Sequence, residues 1–170
     1  MKKFYITGVS GTGKSSVALK LKEKGISVID IDEVKGLCHW VHESTKEIHD
    51  WYSGIGSDFL DLHDYICDQE KLIKLINECK DIVVVFGLAG NQSEFLNLFD
   101  KVFLFHCDEK IFLERIRTRT NHDFGKHESE KKMILGWYRD LEKEMLEEGA
   151  IPINTDRPLV DVVDEVMSKF

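Results

Sequence analysis

Apolar residues in this chain fall into two kinds of run, and the two alternate from one end to the other. Five short, dense runs read as strands: 3–7, 27–30, 82–86, 102–106 and 150–154. Between them apolar residues recur every three or four positions, the period of a helix with one face in a core. The first such segment, 15–24, stops at Gly25, a residue free to take the left-handed conformation that ends helices. Leu62, Ile66, Ile73 and Ile76 share a face if 58–79 is one long helix, and that is the prediction. Asp108 is placed to cap a helix carrying Ile111, Phe112 and Ile116. The stretch 130–148 carries Ile134, Trp137, Leu141 and Met145 as an apolar stripe, and Pro158 introduces a last helix, 159–169.

Strands that alternate with helices imply a parallel sheet covered on both faces. No repeat, low-complexity stretch or linker divides the 170 residues, so 1–170 is expected to be a single α/β domain.

The first strand runs into "GVSGTGKS", residues 8–15, which meets every fixed position of the phosphate-cradling pattern G-x-x-x-x-G-K-[ST]. Gly8, Gly11 and Gly13 let the backbone turn tightly and approach an anion. The N–H groups of Ser10, Gly11, Thr12, Gly13, Lys14, Ser15 and Ser16 are candidate donors to phosphate oxygens, at the mouth of a helix N-terminus. Lys14 is expected to reach the β- and γ-phosphates, and the Ser15 hydroxyl to ligate Mg²⁺. ATP and Mg²⁺ are the expected cofactors.

Charge narrows the partners. A formal net charge of −8 argues against a nucleic-acid or anionic-membrane surface, since both need clustered Lys and Arg. Met1, Lys2 and Lys3 lead straight into a strand without an apolar signal region, and no stretch is apolar enough to span a bilayer. Cys38, Cys67, Cys79 and Cys107 are widely spaced, which reads as free thiols in a reducing cytoplasm. "CHWVH", with Cys38, His39 and His42, lacks the second ligand pair that structural zinc wants. The oligomeric state stays open.

Four further stretches carry a resemblance: "VIDIDEV" (28–34), "FGLAGN" (86–91), "LERIRTRTNH" (113–122) and "NTDRP" (154–158). With the phosphate loop, they resemble the small P-loop kinases, the superfamily of adenylate, shikimate and gluconate kinases. The resemblance implies a five-stranded parallel sheet flanked by helices, an acceptor-binding insertion over about 33–80 and a short lid over about 119–128. By it, Arg115 stacks on the base, Arg119 contacts the transferring phosphates and Arg117 assists. Arg157 and Pro158 fall in the adenine-binding turn. Asp30 belongs to the Mg²⁺ shell and Asp32 to the acceptor hydroxyl; the other reading of Asp32 is a helix N-cap. Gly87, Gly90 and Asn91 fall in the acceptor loop. Phe86 stands where a metal-binding aspartate is usual, so any carboxylate for Mg²⁺ must come from Asp30.

The acceptor segment has its own signature. No arginine precedes Arg115, and between Val28 and Asp68 only Lys35 and Lys46 are basic, against ten acidic residues. Guanidinium forks are the usual grip on phosphate and carboxylate. Their absence favours a neutral or cationic hydroxyl-bearing acceptor, with Trp51 and Tyr52 as aromatic candidates. The expected activity is ATP-dependent transfer of a γ-phosphoryl group to such a metabolite, with Lys14, Asp32 and Arg119 as the catalytic residues. Two alternatives remain: a nucleoside monophosphate kinase, and a nucleotide-hydrolysing assembly factor or switch.

Overall fold

The alternating pattern folds as a helix-flanked parallel sheet in the computed structural model, which describes residues 1–120 and 123–170. In chain order the elements are β1 (Lys2–Thr7), α1 (Lys14–Glu23), β2 (Ser27–Asp30), β3 (Cys38–His42), β4 (Ile48–His49), α2 (Ser57–Leu62), β5 (His63–Cys67) and α3 (Gln69–Glu78). Then follow β6 (Ile82–Phe86), two 3-10 turns at Gln92–Glu94 and Leu96–Leu98, β7 (Lys101–His106), α4 (Glu109–Thr118), α5 (Glu128–Glu147), β8 (Ile151–Asn154) and α6 (Leu159–Ser168). All five expected strands are present to within one residue.

The main sheet has the order β2-β6-β1-β7-β8, and every neighbouring pair is parallel. Side chains alternate across it because the strand period is two. Phe4, Ile6, Val84, Phe86, Phe103 and Phe105 bury one face against Val17 and Leu21 of α1 and Val162, Val163 and Val166 of α6. Tyr5, Val83 and Val85 bury the other face against Leu72 and Ile76 of α3. Beside them, Leu104 packs with Phe112 and Ile116 of α4 and with Ile134, Leu141 and Met145 of α5. Burial on both faces is why strands such as "IVVVF" are continuously apolar.

Asp108 caps α4 as expected, its side chain accepting from the N–H of Lys110 at 2.8 Å. The long helix expected over 58–79 is not formed. A strand, β5, interrupts it and pairs antiparallel with β3, which also pairs with β4, making a second sheet of order β4-β3-β5. The spacing of Leu62 and Ile66 mimics one helical face, but Trp40 lies opposite Tyr65 across the two strands, their rings 5.3 Å apart. Aromatic cross-strand pairs favour the sheet. Asp68 then starts α3 afresh, accepting from Lys71 N–H at 3.0 Å. Leu62 is left exposed. This small antiparallel sheet stands over the C-terminal edge of the parallel one.

Candidate active site

The chain leaves β1 for β2 at one edge of the sheet and later crosses to β7 on the other side of β1. Such a reversal opens a crevice at the C-terminal ends of the strands. A cavity of about 1160 Å³ lies there, lined by the phosphate loop, the end of β2, the small sheet, α4, α5 and the turn after β8.

Its floor is the loop from Ser10 to Ser16, every residue of which lines the cavity. Gly13 takes φ 95° at the N-cap of α1, and the helix begins at Lys14, so the first-turn N–H groups face the cavity mouth. Thr12 is buried and its hydroxyl donates to the Val9 carbonyl at 2.8 Å, bracing the turn. Lys14 Nζ donates to the carbonyls of Gly8 and Val9. Burial lowers the Lys14 pKa, while Asp32 and Asp30 pull it back up. Gly8 does not line the cavity. Its φ is 147°, and a Cβ there would lie 2.5 Å from the Phe105 carbonyl, so its role is the close crossing of β7.

Asp30 and Asp32 both line the cavity. Asp30 ends β2 in register with Phe86 on β6, so its carboxyl occupies the strand end beside the position where Phe86 replaces an acid. Burial raises its pKa to about 6, with the Asp32 charge adding to the rise. Asp32 sits in a turn closed by Glu33 and Val34 N–H groups on the Asp30 carbonyl. No helix begins there, so Asp32 is not a helix cap. The Tyr65 hydroxyl is also held well above its ordinary pKa, chiefly by burial and then by Asp32.

Gly90 lines the cavity; Gly87 and Asn91 do not. A Cβ on Gly87 would lie 2.2 Å from Ile31 Cγ1. Asn91 braces the end of β5, its Oδ1 accepting from Cys67 N–H at 2.9 Å and its Nδ2 donating to Cys67 O at 3.0 Å. These two residues shape the acceptor loop from behind.

The arginines separate. Arg115 is tied to Gly11 O at 3.5 Å and to Thr155 O at 2.8 Å, joining the phosphate loop to the turn after β8. Arg119, at the C-terminus of α4, donates to Ser10 Oγ at 3.0 Å and to the Phe124 carbonyl, and burial lowers its pKa to about 10. It therefore stays charged at neutral pH. Arg117 points away, paired with the exposed Glu114. Arg157 lines the cavity but is engaged by Glu165 and the Asn154 carbonyl. Pro158 serves as the N-cap of α6, outside the lining. Of the expected lid, Asn121 and His122 lie outside the described residues.

Trp40, His63 and Asp64 of the acceptor segment line the cavity as well, and three further lining residues were not singled out for the site by sequence pattern: Tyr65, Phe124 and Trp137. Trp137, expected in the apolar stripe of α5, faces the cavity. Trp51 lines it too, whereas Tyr52 is exposed elsewhere. His63 is held by two hydrogen bonds. Its Nδ1 donates to the Phe59 carbonyl at 2.7 Å, and its Nε2 shares a hydrogen bond with His49 Nδ1 at 2.6 Å. For Tyr65 the signal was the density of aromatics and histidines between β2 and α3; Phe124 and Trp137 lie outside that segment, on either side of the start of α5.

Comparison with known proteins agrees with this geometry. A family model described as an AAA domain matches residues 5–136. A provisionally named adenylate kinase from Methanocaldococcus jannaschii is 30% identical over 67% of this chain, which spans 56% of that relative's length. A shikimate kinase from Bacillus cereus is 25% identical over 100% of this chain and 99% of its own. In fold, a gluconokinase from Sinorhizobium meliloti superposes with a TM-score of 0.55 at 19% identity, covering 98% of this chain and 90% of that one. With its phosphate loop, parallel sheet and crevice, the chain belongs to this AAA-domain family, within the small P-loop kinase superfamily.

Proposed function

We propose that this protein is an ATP- and Mg²⁺-dependent kinase that transfers the γ-phosphoryl group to a hydroxyl of a small metabolite carrying no phosphate at its bound end. One observation carries the acceptor class. Among the described residues, the Lys and Arg side chains lining the cavity are Lys14, Arg115, Arg119 and Arg157, all from the phosphate loop, α4 and the turn after β8. The segment 33–80 contributes Glu33, Trp40, Trp51, His63, Asp64 and Tyr65 instead. An anionic acceptor group brought beside Asp32 and Asp64 without a paired cation would carry a heavy desolvation cost. A sugar, polyol, nucleoside or amine-bearing alcohol has no such cost.

The residues present fit Mg²⁺. Ser15 and Asp30 offer hard oxygen donors, and burial of Asp30 beside Asp32 leaves negative charge that a cation relieves. Among the described residues no group of three or more His, Cys, Asp or Glu side chains could hold a metal by itself, so phosphate oxygens of the nucleotide would complete the shell. When bound, the cation would neutralise charge on the phosphates.

The chain's own groups do the rest. Lys14 leaves the loop carbonyls for the β- and γ-phosphate oxygens, and Arg119 stabilises charge on the transferring group. Asp32 orients the acceptor hydroxyl and accepts its proton as the new O–P bond forms and the bond to the β-phosphate oxygen breaks, releasing ADP. Arg115 and Arg157 flank the base. The four free cysteines support a cytoplasmic setting; among the described residues no helix is long and apolar enough to cross a membrane.

The archaeal relative's name favours a second reading, a nucleoside monophosphate kinase. The test offers Mg·ATP with a panel of nucleoside monophosphates beside a panel of neutral and cationic alcohols. Turnover on an alcohol, lost in Asp32→Asn with ATP binding kept, is expected. Efficient turnover on a monophosphate and none on alcohols would promote the second reading; slow hydrolysis that needs a macromolecule would indicate a switch.

A further inference from the structure

Glu130, in the first turn of α5, is a carboxylate only 1% exposed in a chain whose other Glu side chains are at the surface or half-buried. Its Oε2 accepts from the Gly125 N–H at 2.7 Å and its Oε1 from the Gly54 N–H at 3.2 Å. The first bond is close to an ordinary helix-start cap, in which a third-position Glu reaches back to N–H groups just before the helix. Capping does not account for the second. Gly54 is 76 residues away in sequence, on the acceptor segment.

The contacts around Glu130 reinforce that bridge. The Trp51 and Phe124 rings meet edge to face at 5.3 Å and 70°. A Cβ on Gly54 would lie 3.1 Å from His127 Cε1, so the His127 ring packs directly on Gly54. Arg119 donates to the carbonyl of Phe124, the residue before Gly125, and Glu130 and Asp123 both favour its charged form. Arg119 Nε and Trp51 Nε1 are buried without a hydrogen-bond partner, so both residues keep donors in reserve beside the cavity they line.

We infer that Glu130 is a positioning residue that couples the acceptor-side turn 51–54 to the phosphate-side turn 123–127. Nucleotide phosphates that re-aim Arg119 shift the Phe124 carbonyl it holds, and Glu130 passes that shift to Gly54 and Trp51. The catalytic consequence rests on the kinase reading: phosphoryl transfer is assembled only when both turns are seated, which suppresses transfer to water.

The test is hydrogen exchange of the amides in 51–55 and 123–127, with and without saturating Mg·ADP, in wild type and Glu130→Gln. Glutamine keeps the volume but offers one acceptor, its NH₂ facing the second N–H. In wild type, Mg·ADP should slow exchange in both turns, although 51–55 belongs to the acceptor side. In Glu130→Gln the nucleotide should still protect 123–127 but leave 51–55 exchanging about tenfold or more faster than in nucleotide-bound wild type. A residue that only stabilises the fold would raise exchange in both turns by the same factor, with or without nucleotide, and that result overturns the inference. So does a wild type in which Mg·ADP leaves 51–55 unchanged, an arm that needs no variant. Coupled protection in a protein that phosphorylates no alcohol would sustain the coupling and overturn the alcohol-acceptor reading alone.

Discussion

The backbone N–H of Asp32 donates to Asp30 Oδ1 at 3.1 Å, so the turn that presents one acid is built on the other. Asp30 is 6% exposed, with a pKa raised from 3.8 to about 6 by burial first and the Asp32 charge second. A raised carboxyl pKa means the folded chain holds that proton more tightly than the unfolded chain. Stability therefore falls as pH rises from about 4 to about 6, and above that the ionised group costs up to roughly 3 kcal/mol. Asp30→Asn should raise stability by roughly 1–3 kcal/mol at pH 7.5 and by little at pH 4. The same change should weaken the Mg²⁺ dependence of ADP binding. Thermal melts at the two pH values and a Mg²⁺ titration read both effects; destabilisation at pH 7.5 would refute the burial argument.

Lys14 brings full positive charge into the loop, and its ammonium is held by the Gly8 and Val9 carbonyls. Lys14→Ala should weaken Mg·ATP binding or turnover by about tenfold or more, since a charge-assisted contact to phosphate is lost. The fold should persist, because the core clusters do not include this side chain. Calorimetric binding and circular dichroism on the same sample separate the two. Wild-type affinity together with wild-type turnover would remove the loop from the nucleotide site.

Arg119 and Arg115 should part company in kinetics. Arg119→Ala should depress kcat by about 10²-fold or more, as expected for a donor aimed at developing charge, with a smaller effect on nucleotide affinity. Arg115→Ala should chiefly raise the nucleotide Kd and also lower the melting temperature, because it bridges Gly11 and Thr155. Equal and negligible effects of both would leave them as surface charge.

Gly87 belongs to packing in the geometry described, with Ile31 Cγ1 2.2 Å from where its Cβ would be. Gly87→Ala should cost about 1–3 kcal/mol of stability through overpacking. Ile31 lies between Asp30 and Asp32, so the strain should also reduce transfer. Denaturant unfolding checks the first effect; an unchanged midpoint would return Gly87 to the list of direct substrate contacts.

Much of the site was legible before the fold. The phosphate loop is contiguous, and Asp30 with Asp32 and Arg115 with Arg119 sit at spacings that one strand end and one helix end set locally. The aromatic wall was not legible in the same way. Trp40, Tyr65, Trp51, Phe124 and Trp137 come from five separate stretches, and apolar periodicity placed Trp137 in a core stripe. Trp137 shares its helix face with Ile134 and Leu141, which also line the cavity, and no local period encodes that this face borders an open crevice.

By itself the sequence determined the strands and helices of the scaffold and the phosphate loop, because each run, cap and turn there carries its own signal within a few residues. Short β-branched runs such as Ile82–Phe86 read as strands buried on both faces, and Asp108 caps its helix from the adjacent position. Tertiary structure decided the small sheet and the union of the two turns. Cys38 meets Cys67 and Trp40 meets Tyr65 across a chain separation that local pattern cannot span, so 63–67 reads as helix until β3 is beside it. Glu130 likewise reads as an exposed helix acid until Gly54 and Gly125 arrive to share it. Closing such long loops costs chain entropy that only the assembled contacts offset, and those contacts exist nowhere in the local sequence.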